Sequence, residues 1–190
     1  MFDADARRVA ALAPGSPPAR REAALRELMD AHAPRLHAVA TRMLGDAGQA
    51  EDIVQETFLK AWRKAGDWEP GRARFSTWLH RVTVNACLDV VRRPRPVTGV
   101  TLPERADPSP GAEDALAQAE RRAALREAMD RLPVRQRAAL ALSLEGPSQS
   151  EAASALGITE GAYESLLVRA RRAMRASVAR DTHPEMHHAV

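Results

Sequence analysis

From Ala19 to Arg93 and again from Ala112 to Arg180, turns aside, the apolar residues recur every three or four positions, and no stretch alternates apolar with polar at the two-residue period of a strand. That periodicity restricts the chain to an all-α fold. A helix spans Ala19 to His32 with Ala24, Leu25, Leu28 and Met29 on one face, and Pro34 is expected to open a second, carrying Leu36, Val39, Ala40 and Met43. After the turn Gly45–Gly48, a third helix runs to about Lys64. It buries Val54, Phe58, Ala61 and Trp62 and exposes Asp52, Gln55, Glu56, Lys60 and Arg63. A fourth, Phe75 to Arg93, packs Phe75, Trp78, Leu79, Val82 and Ala86 before Pro94 and Pro96 end it.

Punctuation then divides the chain. Residues 1–18, with Pro14, Gly15, Pro17 and Pro18, form a flexible lead-in, and 19–96 form the first helical block. Residues 97–111 hold Pro103, Pro108 and Pro110 without a periodic apolar face, which makes them a linker expected to leave the blocks free of one another. The second block is 112–180 and a polar tail is 181–190. In the second block Leu116, Ala119, Ala123, Leu125 and Met129 mark one helix, and Ala138, Leu140, Ala141 and Leu144 mark the next, after Leu132-Pro133.

Composition excludes more than it selects. No apolar run reaches the roughly 18 residues of a membrane span, and the start at Met1 lacks a secretory pattern, so a cytoplasmic protein is expected. Cys87 is the single cysteine, so no internal disulfide and no cysteine zinc cluster can form. The pI of 9.7 leaves room for basic patches that suit nucleic acid. Lys60 and Lys64 are the only lysines, so the arginine bias reflects in part a GC-rich genome. His32, His37 and His80 have no ligand or triad partner at useful spacing, and no glycine-rich phosphate loop occurs; an enzyme is not expected. The three tail histidines are read as part of a polar tail, with no metal or other cofactor.

Two segments carry chemistry. Ser148-Gln149-Ser150-Glu151 is a capping box, its helix stops at Gly157, and Thr159 caps a second helix through Tyr163, Leu167 and Ala170. This is a helix-turn-helix, with Arg169, Arg171, Arg172 and Arg175 placed to meet phosphates; an ordinary helical hairpin with a solvated arginine face is the competing reading. In the first block, five of seven aromatic residues (Phe58, Trp62, Trp68, Phe75, Trp78) interleave with Arg72, Arg74, Arg81, Arg92 and Arg93. Stacking faces beside arginines are the chemistry of single-strand binding. Phe58, Trp62 and Trp78 sit at core positions, so Trp68 and the face bearing Asn85 are the better contact candidates.

The run Ala50 to Trp62 (AEDIVQETFLKAW) resembles the polymerase-binding helix of extracytoplasmic-function sigma factors, members of the sigma-70 family. Phe75 to Asn85 (FSTWLHRVTVN), with Asp89 and Arg92-Arg93, resembles the segment that melts and reads the minus-ten element. Leu132-Pro133, the helix-turn-helix and Arg169-Ala170-Arg171-Arg172 resemble region four, which reads the minus-thirty-five element. The likeness spans about residues 20–180. It implies that Asp52, Gln55 and Glu56 face the clamp helices of core RNA polymerase, and that the loop Asp67–Arg74, near Asn85, captures an extruded base of the non-template strand. It implies duplex promoter contacts from Thr159, Tyr163, Glu164, Ser165 and the four arginines, docking on the polymerase flap, and an anti-sigma partner. Tyr163-Glu164-Ser165-Leu166 departs from the lysine and arginine that many relatives carry around the same serine. A carboxylate there accepts a hydrogen bond from a cytosine amino group, so the promoter sequence does not carry over. A free-standing helix-turn-helix regulator is the rival reading; it would bind duplex promoter DNA without polymerase.

Overall fold

The computed structural model describes residues 5–64, 74–92 and 112–182. Among these the fold is all-α: α1 (Ala6–Ala11), α2 (Pro18–Leu44), α3 (Ala47–Lys64), α4 (Phe75–Arg92), α5 (Ala112–Asp130), α6 (Val134–Leu144), α7 (Gln149–Leu156) and α8 (Glu160–Thr182). Helices α1 to α4 make the first block and α5 to α8 the second.

Three expectations are corrected. Pro34 opens no helix; it lies inside the single helix α2. An interior proline removes one backbone hydrogen bond, at a cost of about 3 kcal/mol. Packing outweighs it, because Leu28 and Leu36 on either side are both fully buried in one cluster with Phe58, Phe75 and Leu79. Nor is the lead-in wholly without structure. Val9 and Leu12 of the α1 segment are buried in that same cluster, and Asp5 is held by His32 of α2 at 2.7 Å and by Arg8 at 3.1 Å.

The third correction concerns the two blocks. They are not separate: one apolar cluster runs through both. Val39, Ala40, Met43, Leu44, Ala50 and Ile53 of α2 and α3, with Val84 and Cys87 of α4, pack in it with Ala138, Ala139, Ala141 and Leu142 of α6, the alanines of α7, and Tyr163 and Leu167 of α8. Ala152, Ala153 and Ala155 keep α7 slim enough to lie against α4. This explains why α4 buries Val84 and Cys87, while the expected Val82 and Ala86 are only half-buried. The face of α4 that looked peripheral within its own block is covered by the other.

The local signals in the second block hold. Ser148 Oγ accepts from the Glu151 N–H at 3.2 Å, and Glu151 accepts from the Ser148 N–H at 2.8 Å. Gly157 closes α7 at φ 64°, where a side chain would be strained. Thr159 Oγ1 then accepts from the Ala162 N–H at 3.3 Å and caps α8.

Candidate polymerase and nucleic-acid interface

The outer face of α3 follows from its own periodicity. Ile53, Val54, Thr57, Phe58 and Ala61 are buried, which leaves Asp52, Gln55 and Glu56 exposed together on the opposite side. Gln55 donates to Glu51 at 3.3 Å and Lys60 pairs with Glu56 at 2.8 Å, so the acidic stripe is partly self-balanced. Beneath it, the Thr57 hydroxyl donates to the Ile53 carbonyl at 2.8 Å and meets Thr83 Oγ1 of α4 at 3.2 Å, which fixes α3 on α4.

On α4, Arg81, Asn85 and Arg92 are exposed, with Arg92 4.0 Å from Asp89. Trp68, Arg72 and Arg93 lie outside the described residues. Trp62 and Trp78 are half-buried: the Arg21 guanidinium sits 4.0 Å above the Trp62 ring, and Trp78 stacks on Phe75 with centroids 5.5 Å apart. Arg74, expected to meet DNA, lies 3.0 Å from Glu151 of α7.

His80 sits behind this surface. Its Nδ1 donates to the Ser76 carbonyl at 2.8 Å, while Nε2 is buried without a partner. Burial lowers its pKa from the ordinary value, the Ser76 carbonyl and Glu151 opposing and His32 and Arg35 adding to the effect.

On α8, Glu164, Ser165, Val168, Arg169 and Arg172 are exposed, and the Ser165 hydroxyl donates back to the Gly161 carbonyl at 2.9 Å. Tyr163 is a correction. It is fully buried, its hydroxyl donates to the Ala139 carbonyl at 3.2 Å, and burial raises its pKa. It shares the inner face with Leu167 and Ala170, so it holds α8 on α6 and is turned away from the exposed face expected to meet DNA. The arginines divide as well: Arg171 and Arg175 line an open groove whose apolar walls include Leu125, Met129, Leu140, Leu144 and Met174. Val168, 61% exposed, stands among the outward residues and was missed; an apolar residue on the solvent face of a helix was its only signal in the sequence.

Two family models match the chain, Sigma-70 region 2 over residues 28–96 and Sigma-70 region 4 over residues 122–174. The ECF RNA polymerase sigma factor SigL of Mycobacterium tuberculosis is 39% identical over 168 residues, which cover 84% of this chain and 92% of SigL. This chain belongs to the ECF sigma factors. It is also 36% identical over 159 residues to SigE of Mycolicibacterium smegmatis, covering 81% of this chain and 61% of SigE's own length. Among solved structures, CnrH in complex with the cytosolic domain of CnrY superposes with a TM-score of 0.70 at 28% identity, covering 94% of this sigma factor and 99% of CnrH. RpoE from Bartonella quintana shares the fold, with a TM-score of 0.62 at 23% identity, over 81% of this chain and 96% of its own. Sigma factors are a non-enzymatic class of initiation factor. Among the described residues, no helix is long and apolar enough to cross a membrane.

Proposed function

We propose that this ECF sigma factor gives core RNA polymerase its promoter specificity and supplies no chemistry of its own, acting in the cytoplasm. Its first block docks on the polymerase clamp helices through Asp52, Gln55 and Glu56. Once the minus-ten element opens, Arg74, Arg81, Asn85 and Arg92 hold the melted non-template strand, with Trp68, Arg72 and Arg93 of the adjoining segments. The second block meets the polymerase flap and reads the minus-thirty-five duplex through Thr159, Glu164, Ser165, Arg169 and Arg172, with Arg171 and Arg175 toward flanking phosphate.

One observation carries the reading. A single chain holds both an exposed acidic-polar stripe on α3 and a capped helix-turn-helix whose second helix is arginine-rich on its exposed face. A free-standing regulator has no use for the first of these. That CnrH is found in complex with the cytosolic domain of CnrY supports a protein partner for this chain as well, and the family resemblance implies that it is an anti-sigma factor.

The test is run-off transcription with core polymerase on a library of promoters from the source genome. Transcripts that start at a fixed distance from a shared motif, and only when this chain is added, are expected. If core enzyme plus this chain gives the same transcripts as core enzyme alone, the reading is wrong.

A further inference from the structure

The contact between the blocks is more than shared apolar surface; three arginines cross it. Arg137 of α6 reaches the C-terminal end of α2 and donates to the Met43 carbonyl at 3.0 Å, while its other bonds go to Asp130 and to the Asp130 and Leu132 carbonyls. A cation at the last carbonyls of a helix is where the helix dipole favours it. The Arg137 side chain is only 11% exposed, so this bond is made away from water. Arg42 of α2 pairs with Glu145 at the end of α6. Arg74, at the entry to α4, pairs with Glu151 in the first turn of α7. The three contacts fall around the apolar cluster that contains Cys87.

We propose that these contacts form a latch that holds the free chain closed and shields Arg74 from DNA. The closure is a property of the chain by itself; only its consequence rests on the promoter-reading role proposed above. Arg74 cannot give the same guanidinium face to Glu151 and to a backbone phosphate. In the closed form α7, half of the helix-turn-helix, is packed on α4, so the duplex-reading and strand-holding elements sit against one another instead of apart along a promoter. Opening must expose the shared cluster and break the arginine contacts together.

Cys87 is a built-in reporter of that opening. It is fully buried in the shared cluster, and burial pushes its thiol up to about 12. Such a thiol does not react until the surface above it lifts, and its labelling rate then follows the open population. The experiment is thiol labelling of the full-length chain, without polymerase or DNA, across a range of sub-denaturing urea. The wild type should label slowly, with a urea dependence weaker than that of global unfolding. Glu145→Gln and Glu151→Gln should each speed labelling about two- to fivefold, the range expected for a partly exposed ion pair. Glutamine at 151 can still accept from the Ser148 N–H, so the cap of α7 survives. Glu27→Gln, which breaks the exposed Arg8 pair far from the interface, should leave the rate unchanged. A variant lacking Arg137 should label faster still; if it does not fold, the two glutamine variants decide. The glutamine variants should also bind a single-stranded oligonucleotide more tightly by a similar factor. Labelling that tracks global unfolding, glutamine variants no faster than wild type, or faster labelling without tighter DNA binding would each overturn the proposal.

Discussion

The Arg74 guanidinium lies 3.0 Å from the Glu151 carboxylate, and so joins the entry of α4 to the first turn of α7 across the two halves of the chain. Glu151 also accepts from the Ser148 N–H. Burial by itself raises the Glu151 pKa, but the Ser148 backbone and hydroxyl and Arg74 together hold it below the ordinary value. One carboxylate therefore both caps a helix and bridges two domains.

The cap and the bridge are separable. Ser148→Ala removes the acceptor for the Glu151 N–H and should lower stability by about 1 kcal/mol, read as a shift in the denaturation midpoint at unchanged slope. Glu151→Gln keeps a capping acceptor and should cost less than half as much at pH 7. Equal losses from the two would mean that the Arg74 pair, and not the cap, is what Glu151 supplies.

Tyr163→Phe tests where this residue faces. The substitution removes only the hydroxyl that donates to the Ala139 carbonyl, and it should cost about 1 kcal/mol of stability. Promoter preference should not change. An altered preference with unaltered stability would return Tyr163 to the DNA-reading surface.

What could be read from the sequence was local, and what could not was tertiary. The Ser148–Glu151 box, the Gly157 stop and the Thr159 cap need only neighbours within four residues. Pro34 misled because its local rule is sound, yet Leu28 and Leu36 bury on one continuous face across it. The shared core was invisible for another reason. Val84, Cys87, Ala139 and Ala153 each suit the interior of their own block, and helical spacing does not say which partner covers a helix face. Tyr163 shares its helix spacing with Leu167 and Ala170 and lies in the stretch that resembles a DNA-reading helix; only burial separates packing from contact. Arg137 and Glu145 gave no signal, since their partners lie about a hundred positions away.

His80 predicts a pH dependence. Its folded pKa is lowered by burial, so the folded state resists a proton that the unfolded chain accepts near 6.5. Above that pH the residue contributes no slope. As pH falls through it, the unfolded state gains protons and stability declines, by at most about 1.4 kcal/mol per pH unit for one group. His80→Leu should flatten the curve between pH 6.5 and 5; at pH 7.5 it gives up the Nδ1 bond to the Ser76 carbonyl, at a cost of about 1 kcal/mol, while the unpartnered Nε2 takes no further bond with it. An unchanged slope in that window would assign the titration elsewhere.

Charge reversal on α3, Asp52→Lys with Glu56→Lys, should weaken binding to core polymerase at least tenfold while the helical circular dichroism stays the same. Both side chains are exposed, opposite the buried Ile53, Val54 and Phe58. Glu56 also gives up its Lys60 pair, an exposed contact worth at most about 1 kcal/mol, so a loss of binding cannot be put down to unfolding. Unchanged affinity in a pull-down would remove this stripe from the docking surface.

The last prediction follows from the shared core. Two blocks joined only by a flexible segment would unfold separately, and a protease cutting at residues 107–111 would release two independent pieces. With Val84 and Cys87 packed in one cluster with Ala139, Ala153, Tyr163 and Leu167, neither block buries all of its apolar surface without the other. Unfolding should therefore be a single transition. Val84→Ala, a first-block substitution that removes two buried methyl groups, should cost about 2 kcal/mol and lower the midpoint seen by a second-block probe, the Tyr163 signal, as much as that seen by tryptophan fluorescence. Pieces cut at 107–111 should co-elute on gel filtration and come apart only when denaturant reaches the concentration that unfolds the intact chain. If the Tyr163 transition instead stays in place while the tryptophan transition moves, the blocks are thermodynamically independent, and the contact between α4 and α7 is too weak to order the free protein.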